Sequence, residues 1–226
     1  MPLTETIFRD RQDAGRRLAA QLEKYRDRNP MVLGLPRGGV PVAFEIAREL
    51  NAPLDVLVAR KIGAPMQPEL GIGAIAQGDV MVLDHDTIRH LGLSRDDIAR
   101  SAQIEISEMR RRLEEYRGDT GLPDVSGRTV ILVDDGLATG VTMIAALKAV
   151  RQGNPDHIVI AVPVCALETV RSIERMGVDV VCASVPETFR AVGIWYRNFT
   201  QTSDAEVIEL LEEARGQVSL EDLDEL

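Results

Sequence analysis

Aromatic residues are scarce in this chain of 226 residues: one Trp, three Tyr and four Phe, 4% of the whole. Its interior must therefore be filled largely by aliphatic side chains. Histidine is rarer still, and His85, His90 and His157 make no metal-ligand spacing. The two cysteines, Cys165 and Cys182, lie in apolar strand-like runs. They read as separate buried thiols of a reducing cytoplasm, neither a disulfide framework nor a zinc pair. No apolar run approaches the ~20 residues of a membrane-spanning helix. No signal-peptide pattern is present either, so a cytoplasmic protein with no membrane role is expected. Positive charge is in deficit: 26 Lys and Arg stand against 36 Asp and Glu, a net charge of −10. That balance disfavours a general nucleic-acid or anionic-membrane surface. Neither G-x-S-x-G nor G-x-x-x-x-G-K-[ST] occurs, which argues against a Ser/His/Asp hydrolase and a P-loop kinase.

What is present is ordinary in bulk, 45% hydrophobic and 27% charged, and the length suits one globular domain over residues 1–226. One stretch stands apart, Val130 to Thr142. Four consecutive aliphatics, Val130–Val133, read as a strand buried on both faces, as in a parallel sheet. Asp134 and Asp135 then stand at the strand's carboxyl end, and a turn, Gly136-Leu137-Ala138-Thr139-Gly140, opens a helix at Val141-Thr142. A strand, a small-residue turn and a helix N-terminus gather free backbone N–H groups and a positive dipole end, which together suit an anion. The acids limit what that anion belongs to. A phosphate about 6 Å from a carboxylate costs roughly 3 kcal/mol per charge pair at an effective dielectric near 20. A ligand with a diol one sugar-length from its phosphate removes the conflict, because ionised carboxylates are acceptors suited to hydroxyls. Ribose 5-phosphate has that shape.

The stretch resembles the signature of type I phosphoribosyltransferases, enzymes that bind phosphoribosyl pyrophosphate (PRPP). It keeps the four aliphatics, two acids, small residue, Thr, Gly, any residue and Thr. Its one departure is Gly136, which stands where an aliphatic is usual and implies a looser loop. The resemblance implies that Asp134 and Asp135 hold the ribose hydroxyls and that Leu137 to Thr142 receive the 5-phosphate. It also implies Mg²⁺ as cofactor, bound through PRPP and water near Asp134 and Asp135 rather than by a protein cage. PRPP and an aromatic nitrogen acceptor would be the partners.

A second strand–loop–helix lies upstream. An amphipathic helix from about Arg9 to Arg28 ends at Asn29-Pro30, and Met31–Leu35 forms a short strand. Pro36-Arg37-Gly38-Gly39 follows, where glycines permit close backbone approach to an anion and Arg37 supplies a donor fork. By the resemblance this is the pyrophosphate loop, with a cis peptide expected at Pro36–Arg37. The next buried strand, Leu54–Ala59, is expected to end in Arg60-Lys61, two cations for the same charge. Ala59 to Gly71 reads as leaving regular structure, a mobile loop in the position of the family's lid. Its Arg-Lys-x-Gly and Glu-x-Gly are similar to the adenine-specific branch. Ala138 fits that branch, since hypoxanthine-guanine enzymes place an acid there. Glu69 is left as the acid/base candidate, and Lys61 joins it in the catalytic set.

Ile72–Ala76 and Val80–Leu83 read as a hairpin around Gln77-Gly78-Asp79. Ser94 caps a helix striped by Ile98, Ala102, Ile106, Met109, Leu113 and Tyr116, read as a packed surface helix, with a lid or dimer arm as the alternative. A turn-rich linker, Gly118 to Gly127, leads back to the central strand. Beyond it, Ile158–Val162 and Val178–Ala183 are strands flanking a helix from Leu167 to Met176. The alternation predicts an α/β fold with a doubly wound parallel sheet, a Rossmann-like core over about 30–83 and 127–185, and an inserted segment over about 84–118. Half of the aromatics fall between Phe189 and Phe199. They read either as a satellite core or as an acceptor wall built on Trp195 and Tyr196, within a hood over about 186–203 that the N-terminus joins in one version. Ser203-Asp-Ala-Glu206 is a capping box opening a last helix, and the acidic tail after Gly216 is expected to fray. Phosphoribosyl transfer with pyrophosphate release is the reading these residues favour. A PRPP-binding regulator is the alternative, and the acceptor and a homodimer are left open.

Overall fold

The computed structural model describes residues 7–118 and 121–224, with side chains to residue 216. In chain order the elements are α1 (Arg11–Leu22), β1 (Pro30–Gly34), α2 (Gly39–Leu50), β2 (Leu54–Val56), β3 (Ala59–Ala64), β4 (Gln67–Ala76) and β5 (Val80–Leu83). There follow α3 (His85–Leu91), α4 (Arg95–Arg117), β6 (Thr129–Val133), α5 (Val141–Gln152), β7 (His157–Val164), α6 (Leu167–Glu174), β8 (Asp179–Ser184) and α7 (Asp204–Asp224), with 3₁₀ turns at Glu23–Tyr25 and Val192–Trp195. They form two compact units. The first is Met1–Val56, Val125–Thr139 and Asn154–Leu226; the second is Leu57–Asp124 and Gly140–Gly153. The expected acidic tail lies outside the described side chains, and the expected linker is described except for residues 119 and 120.

The first unit is built on a five-stranded parallel sheet in the order β2-β1-β6-β7-β8, the α/β architecture the sequence predicts. Every residue of β1 and β6 is buried, as continuous aliphatic strands covered on both faces must be. β1 leads to β2 on one side and β6 to β7 on the other, so the order reverses between β1 and β6. Ligands of open α/β sheets bind outside the strand ends at such a point. The pairing Gly34↔Val133 sets the two strand ends level, and Leu35 N–H donates to the Val133 carbonyl at 2.8 Å. The loop after β1 and the acids after β6 therefore emerge side by side. Helix α1 starts from an Asp10 cap, whose side chain accepts from Asp13 N–H at 2.8 Å. It packs on α2 through Gly15, where a Cβ would stand 2.7 Å from the Val42 carbonyl.

The register of β7 with β8, Val162↔Cys182 and Val164↔Ser184, carries Cys165 to Cys182. The two are joined as a disulfide with Cα atoms 6.7 Å apart, within the usual range. This corrects the expectation of two separate thiols.

The second unit holds a three-stranded antiparallel sheet, β3-β4-β5. Here two expectations change. The aliphatic run at Leu54–Ala59 is not one strand: β2 ends at Val56 and β3 begins at Ala59. Arg60 and Lys61 thus sit inside an antiparallel ladder, opposite Ile75 and Ala74, and not at the carboxyl end of a parallel strand. The expected loop from Ala59 to Gly71 is mostly hairpin, β3 paired with β4. A register shift at Gly63, whose missing side chain gives room to the Pro68 backbone, lets glycine- and proline-containing segments pair. The expected hairpin of β4 with β5 is present, turned by left-handed Gly78 and Asp79 at φ 72° and 56°. Helix α4 opens on a reciprocal capping box of Ser94 with Asp97 and buries Ala102, Met109, Leu113 and Tyr116. Alanines of α5, Ala145 and Ala149, pack on Ala74, Ala76 and Val80. No helix among the described residues is long and apolar enough to cross a membrane.

A polar cluster stands at the start of β7 and β8. Tyr25 O–H donates to Asp179 Oδ2 at 2.7 Å, and His157 Nε2 lies 3.0 Å from the same oxygen. Burial, then the hydrogen bond to Asp179 and its charge, pushes the Tyr25 phenol up to about 12 from its ordinary 10.0. A phenol that holds its proton more tightly when folded contributes stability fully present below pH 10.0, lost as pH rises toward about 12. Tyr25→Phe should remove this alkaline component and lower stability by about 1 kcal/mol at neutral pH. Urea unfolding of both proteins from neutral pH to pH 12 checks it, and parallel alkaline losses would refute it.

Candidate active site

Asp134 and Asp135 emerge from β6 partly exposed, in the first unit. Asp135 N–H donates to Asp134 Oδ1 at 2.8 Å, which fixes the first carboxylate against the backbone of the second. Asp135 Oδ2 receives both Nε and Nη2 of Arg11, each at 2.8 Å. The carbonyl of Asp135 accepts from the Tyr196 hydroxyl at 2.5 Å. Burial, and next to it the Asp135 charge, pushes the Asp134 carboxyl well above the usual carboxylate range. Burial also raises Asp135, while Arg11 pulls it the other way. Ionised, the two offer acceptor oxygens only, which suits hydroxyl groups or a cation.

The loop after β1 comes to the same place. Pro36–Arg37 is cis, as expected. A Cβ on Gly38 would collide with Asp135 Oδ2 and lie 3.1 Å from Arg11 Nε, and one on Gly39 would meet the Val133 carbonyl at 2.6 Å. Only glycine lets this loop lie against the acids. Arg37 Nη1 stands 3.6 Å from Asp204 Oδ2 in the first turn of α7.

The turn after the acids is braced from below. Leu137 N–H donates to the Val164 carbonyl at 2.8 Å, Ala166 N–H donates to the Leu137 carbonyl at 3.0 Å, and Thr169 Oγ1 donates to the Ala138 carbonyl at 2.5 Å. Ala138 and Thr139 are exposed. They border a cavity of 560 Å³ whose wall includes Ala166, Thr169, Ser172 and Phe189. Gly136 is not loose, contrary to expectation. A Cβ there would collide with Val192, whose side chain from the following 3₁₀ turn takes the place of the absent one.

Trp195 and Tyr196 are 2% and 6% exposed, packed with Phe8, Ala14 and Val164. The satellite-core reading of this aromatic segment is therefore the one that describes the free protein. Within the second unit, Gly140 at φ 74° precedes α5, and Val141 and Thr142 form its first turn, where backbone N–H groups lack helical partners. Arg60 Nε donates to Glu105 Oε2 at 2.6 Å. Lys61 Nζ donates to the Glu69 carbonyl at 2.8 Å and stands 3.9 Å from Glu69 Oε2, on a side chain fully open to solvent. Arg37, Gly38, Gly39, Asp134 and Asp135 are thus brought together, and Lys61 and Glu69 are paired within their own unit.

Three contributors were missed in the sequence: Arg11, Thr169 and Val192. Arg11 carries no local signal, being one of several arginines in α1. Val192 had one, the glycine at position 136. Gly136→Val should cost about 1–3 kcal/mol by overpacking, and Val192→Ala in the same chain should recover part of it. A double-mutant cycle in urea checks the coupling, and strictly additive costs would contradict the packing account.

A model of the phosphoribosyl transferase domain matches residues 5–192. The crystal structure of TT1426 from Thermus thermophilus is 42% identical, covers 92% of this chain and 98% of its own, and superposes with a TM-score of 0.76. Rv0571c of Mycobacterium tuberculosis (strain ATCC 25618 / H37Rv), a relative named for phosphoribosyl transfer with no stated acceptor, is 47% identical over 92% of this chain. This chain spans about half the length of that relative, 47%. Uracil phosphoribosyltransferase of Mycoplasma genitalium (strain ATCC 33530 / DSM 19775 / NCTC 10195 / G37) is 31% identical over 52% of each chain. With the match running from before α1 to the turn that packs Gly136, the likeness first carried by Val130–Thr142 becomes descent: the chain belongs to the phosphoribosyl transferase domain family, a family of pentosyltransferases.

Proposed function

We propose that the protein transfers the 5-phosphoribosyl group of PRPP to a ring nitrogen of a nucleobase-like acceptor. The bond from the sugar's C1 to the pyrophosphate oxygen breaks, a C1–N bond forms, and the acceptor's proton is lost to water or a base. The observation that carries this reading is the contact of the Arg37-Gly38-Gly39 loop with the Asp134-Asp135 pair, made through Gly38. It joins a pyrophosphate-type loop to a diol-type acceptor pair.

Asp134 and Asp135 take the ribose hydroxyls, and the turn at Ala138 and Thr139 takes the 5-phosphate on its backbone N–H groups and the Thr139 hydroxyl, the Leu137 N–H being already given to the Val164 carbonyl. Arg37, Gly38 and Gly39 hold the pyrophosphate. Glu69, exposed on its hairpin, is the acid/base candidate. The cavity at Ala138, Thr139, Thr169, Ser172 and Phe189 takes the acceptor, with Phe189 as its flat apolar contact. Trp195 and Tyr196 support that side from the core. The reacting sugar carbon develops positive charge, so orientation and leaving-group neutralisation do the catalytic work rather than a protein nucleophile.

Ionised, Asp134 and Asp135 present acceptor oxygens of the kind that suits a dication. Among the described residues no cluster of three His, Cys, Asp or Glu side chains forms a cage for one. Mg²⁺ bound to substrate oxygens and water beside Asp134 and Asp135 would supply neutralisation of the leaving pyrophosphate. A substrate of such charge does not cross a bilayer unaided, and the proposed setting is the cytoplasm.

The test is pyrophosphate release from Mg²⁺ and PRPP across a panel of purines, pyrimidines and other aromatic nitrogen acceptors. Turnover with one class identifies the acceptor. Tight PRPP binding without turnover assigns the site to PRPP sensing, and no binding overturns the reading. Asp135→Asn should weaken PRPP binding by about 1.5–3 kcal/mol through loss of a charge-assisted diol contact, measured by titration calorimetry. Phe189→Ala should raise KM for the acceptor while leaving PRPP affinity unchanged, and a drop in PRPP affinity instead would remove the cavity from the acceptor's path.

A further inference from the structure

We infer that Arg11 is a positioning residue of the sugar site, fixing the Asp135 carboxylate in the orientation that receives the ribose hydroxyls. The inference rests on the PRPP reading above and goes beyond it by adding a residue from the first turn of α1. The observation is geometric. One guanidinium places Nε and Nη2 on a single oxygen, Asp135 Oδ2, at 2.8 Å each, with the two side chains 11% and 16% exposed. Arg11 occupies Oδ2, and among the described residues no other side chain bonds to Oδ1, the oxygen we assign to the ligand.

The guanidinium is itself held, which separates it from a mobile surface arginine. Its Nη1 donates to the Thr200 carbonyl at 2.7 Å, and its centre lies 4.0 Å over the Phe199 ring. The charged and titratable groups facing Asp135 are Arg11 from α1, Asp134 beside it and the Tyr196 hydroxyl on its carbonyl. Arg11 is the one cation in that set. Without it, a partly buried carboxylate next to a second acid would take up a proton and present an O–H in place of an acceptor. Lysine carries the charge but cannot span both donor directions from one planar group.

The experiment compares ribose 5-phosphate with its 2-deoxy and 3-deoxy analogues by titration calorimetry on wild type, Arg11→Gln and Arg11→Lys, with thermal melts confirming that each variant is folded. Wild type should prefer ribose 5-phosphate over at least one deoxy analogue by about tenfold or more, the size of one charge-assisted hydrogen bond. Arg11→Gln should bind the deoxy analogues as wild type does, yet lose most of the preference, and Arg11→Lys should recover part of it. If Arg11→Gln does not fold, a wild-type preference reduced in Arg11→Lys carries the same conclusion. Wild-type preference preserved in every folded variant overturns the role of Arg11 and leaves the PRPP reading standing. Equal weakening for all three sugars also overturns it, because a purely structural arginine behaves that way. No preference in wild type removes the diol reading of the acids, and the role of Arg11 with it.

Discussion

Two neighbouring carboxylates at the end of a strand with no exposed residue are the costly feature of this protein. Burial pushes both toward the protonated state, and the Asp135 charge adds to this at Asp134. What holds them is assembled from distant parts of the first unit: Arg11 from α1, the backbone N–H between the acids, and the Tyr196 hydroxyl beneath. The surrounding architecture follows from serving this point. β1 and β6 end level, Gly38 yields its side-chain space to Asp135, and the aromatic cluster of Phe8, Trp195 and Tyr196 forms the floor. Removing one partner from such a network leaves a buried charge unmatched, which costs more than the contact contributes when intact.

The turn after the acids shows a related economy. Its backbone is tied to β7 and α6 through Val164, Ala166 and Thr169, so that Ala138 and Thr139 face solvent on a fixed frame. A turn ordered before any ligand arrives loses little conformational freedom on binding one. Val192 supplies the volume that Gly136 lacks, and the turn keeps its packing through a residue from another part of the chain.

Much of this was legible in the sequence where the signal is local. The run Val130–Val133 names a buried strand, and the acids and the glycine–threonine turn after it mark the strand's carboxyl end. Gly38 and Gly39 announce a close approach, and Ser94 with Asp97 a helix start. What was not legible depends on long-range geometry. Arg11 meets Asp135 across 124 residues, and nothing near position 11 distinguishes it from Arg16 or Arg17. The apolar run from Leu54 to Ala59 hides a change from one sheet to another, because apolar character is shared by parallel and antiparallel strands alike. The pairing of Cys165 with Cys182 depends on the register of β7 and β8, which cysteine spacing does not specify. Burial of Trp195 and Tyr196 was one of two open readings, and only the packing of Phe8 against them decides it.

The most direct measurement is a crystal structure of the protein with PRPP and Mg²⁺ bound. The account predicts the ribose hydroxyls within hydrogen-bond distance of the Asp134 and Asp135 carboxylates, the 5-phosphate on the turn that follows them, and Arg11 still on Asp135. A sugar bound elsewhere, or acids left without a hydroxyl partner while PRPP occupies the protein, would contradict it.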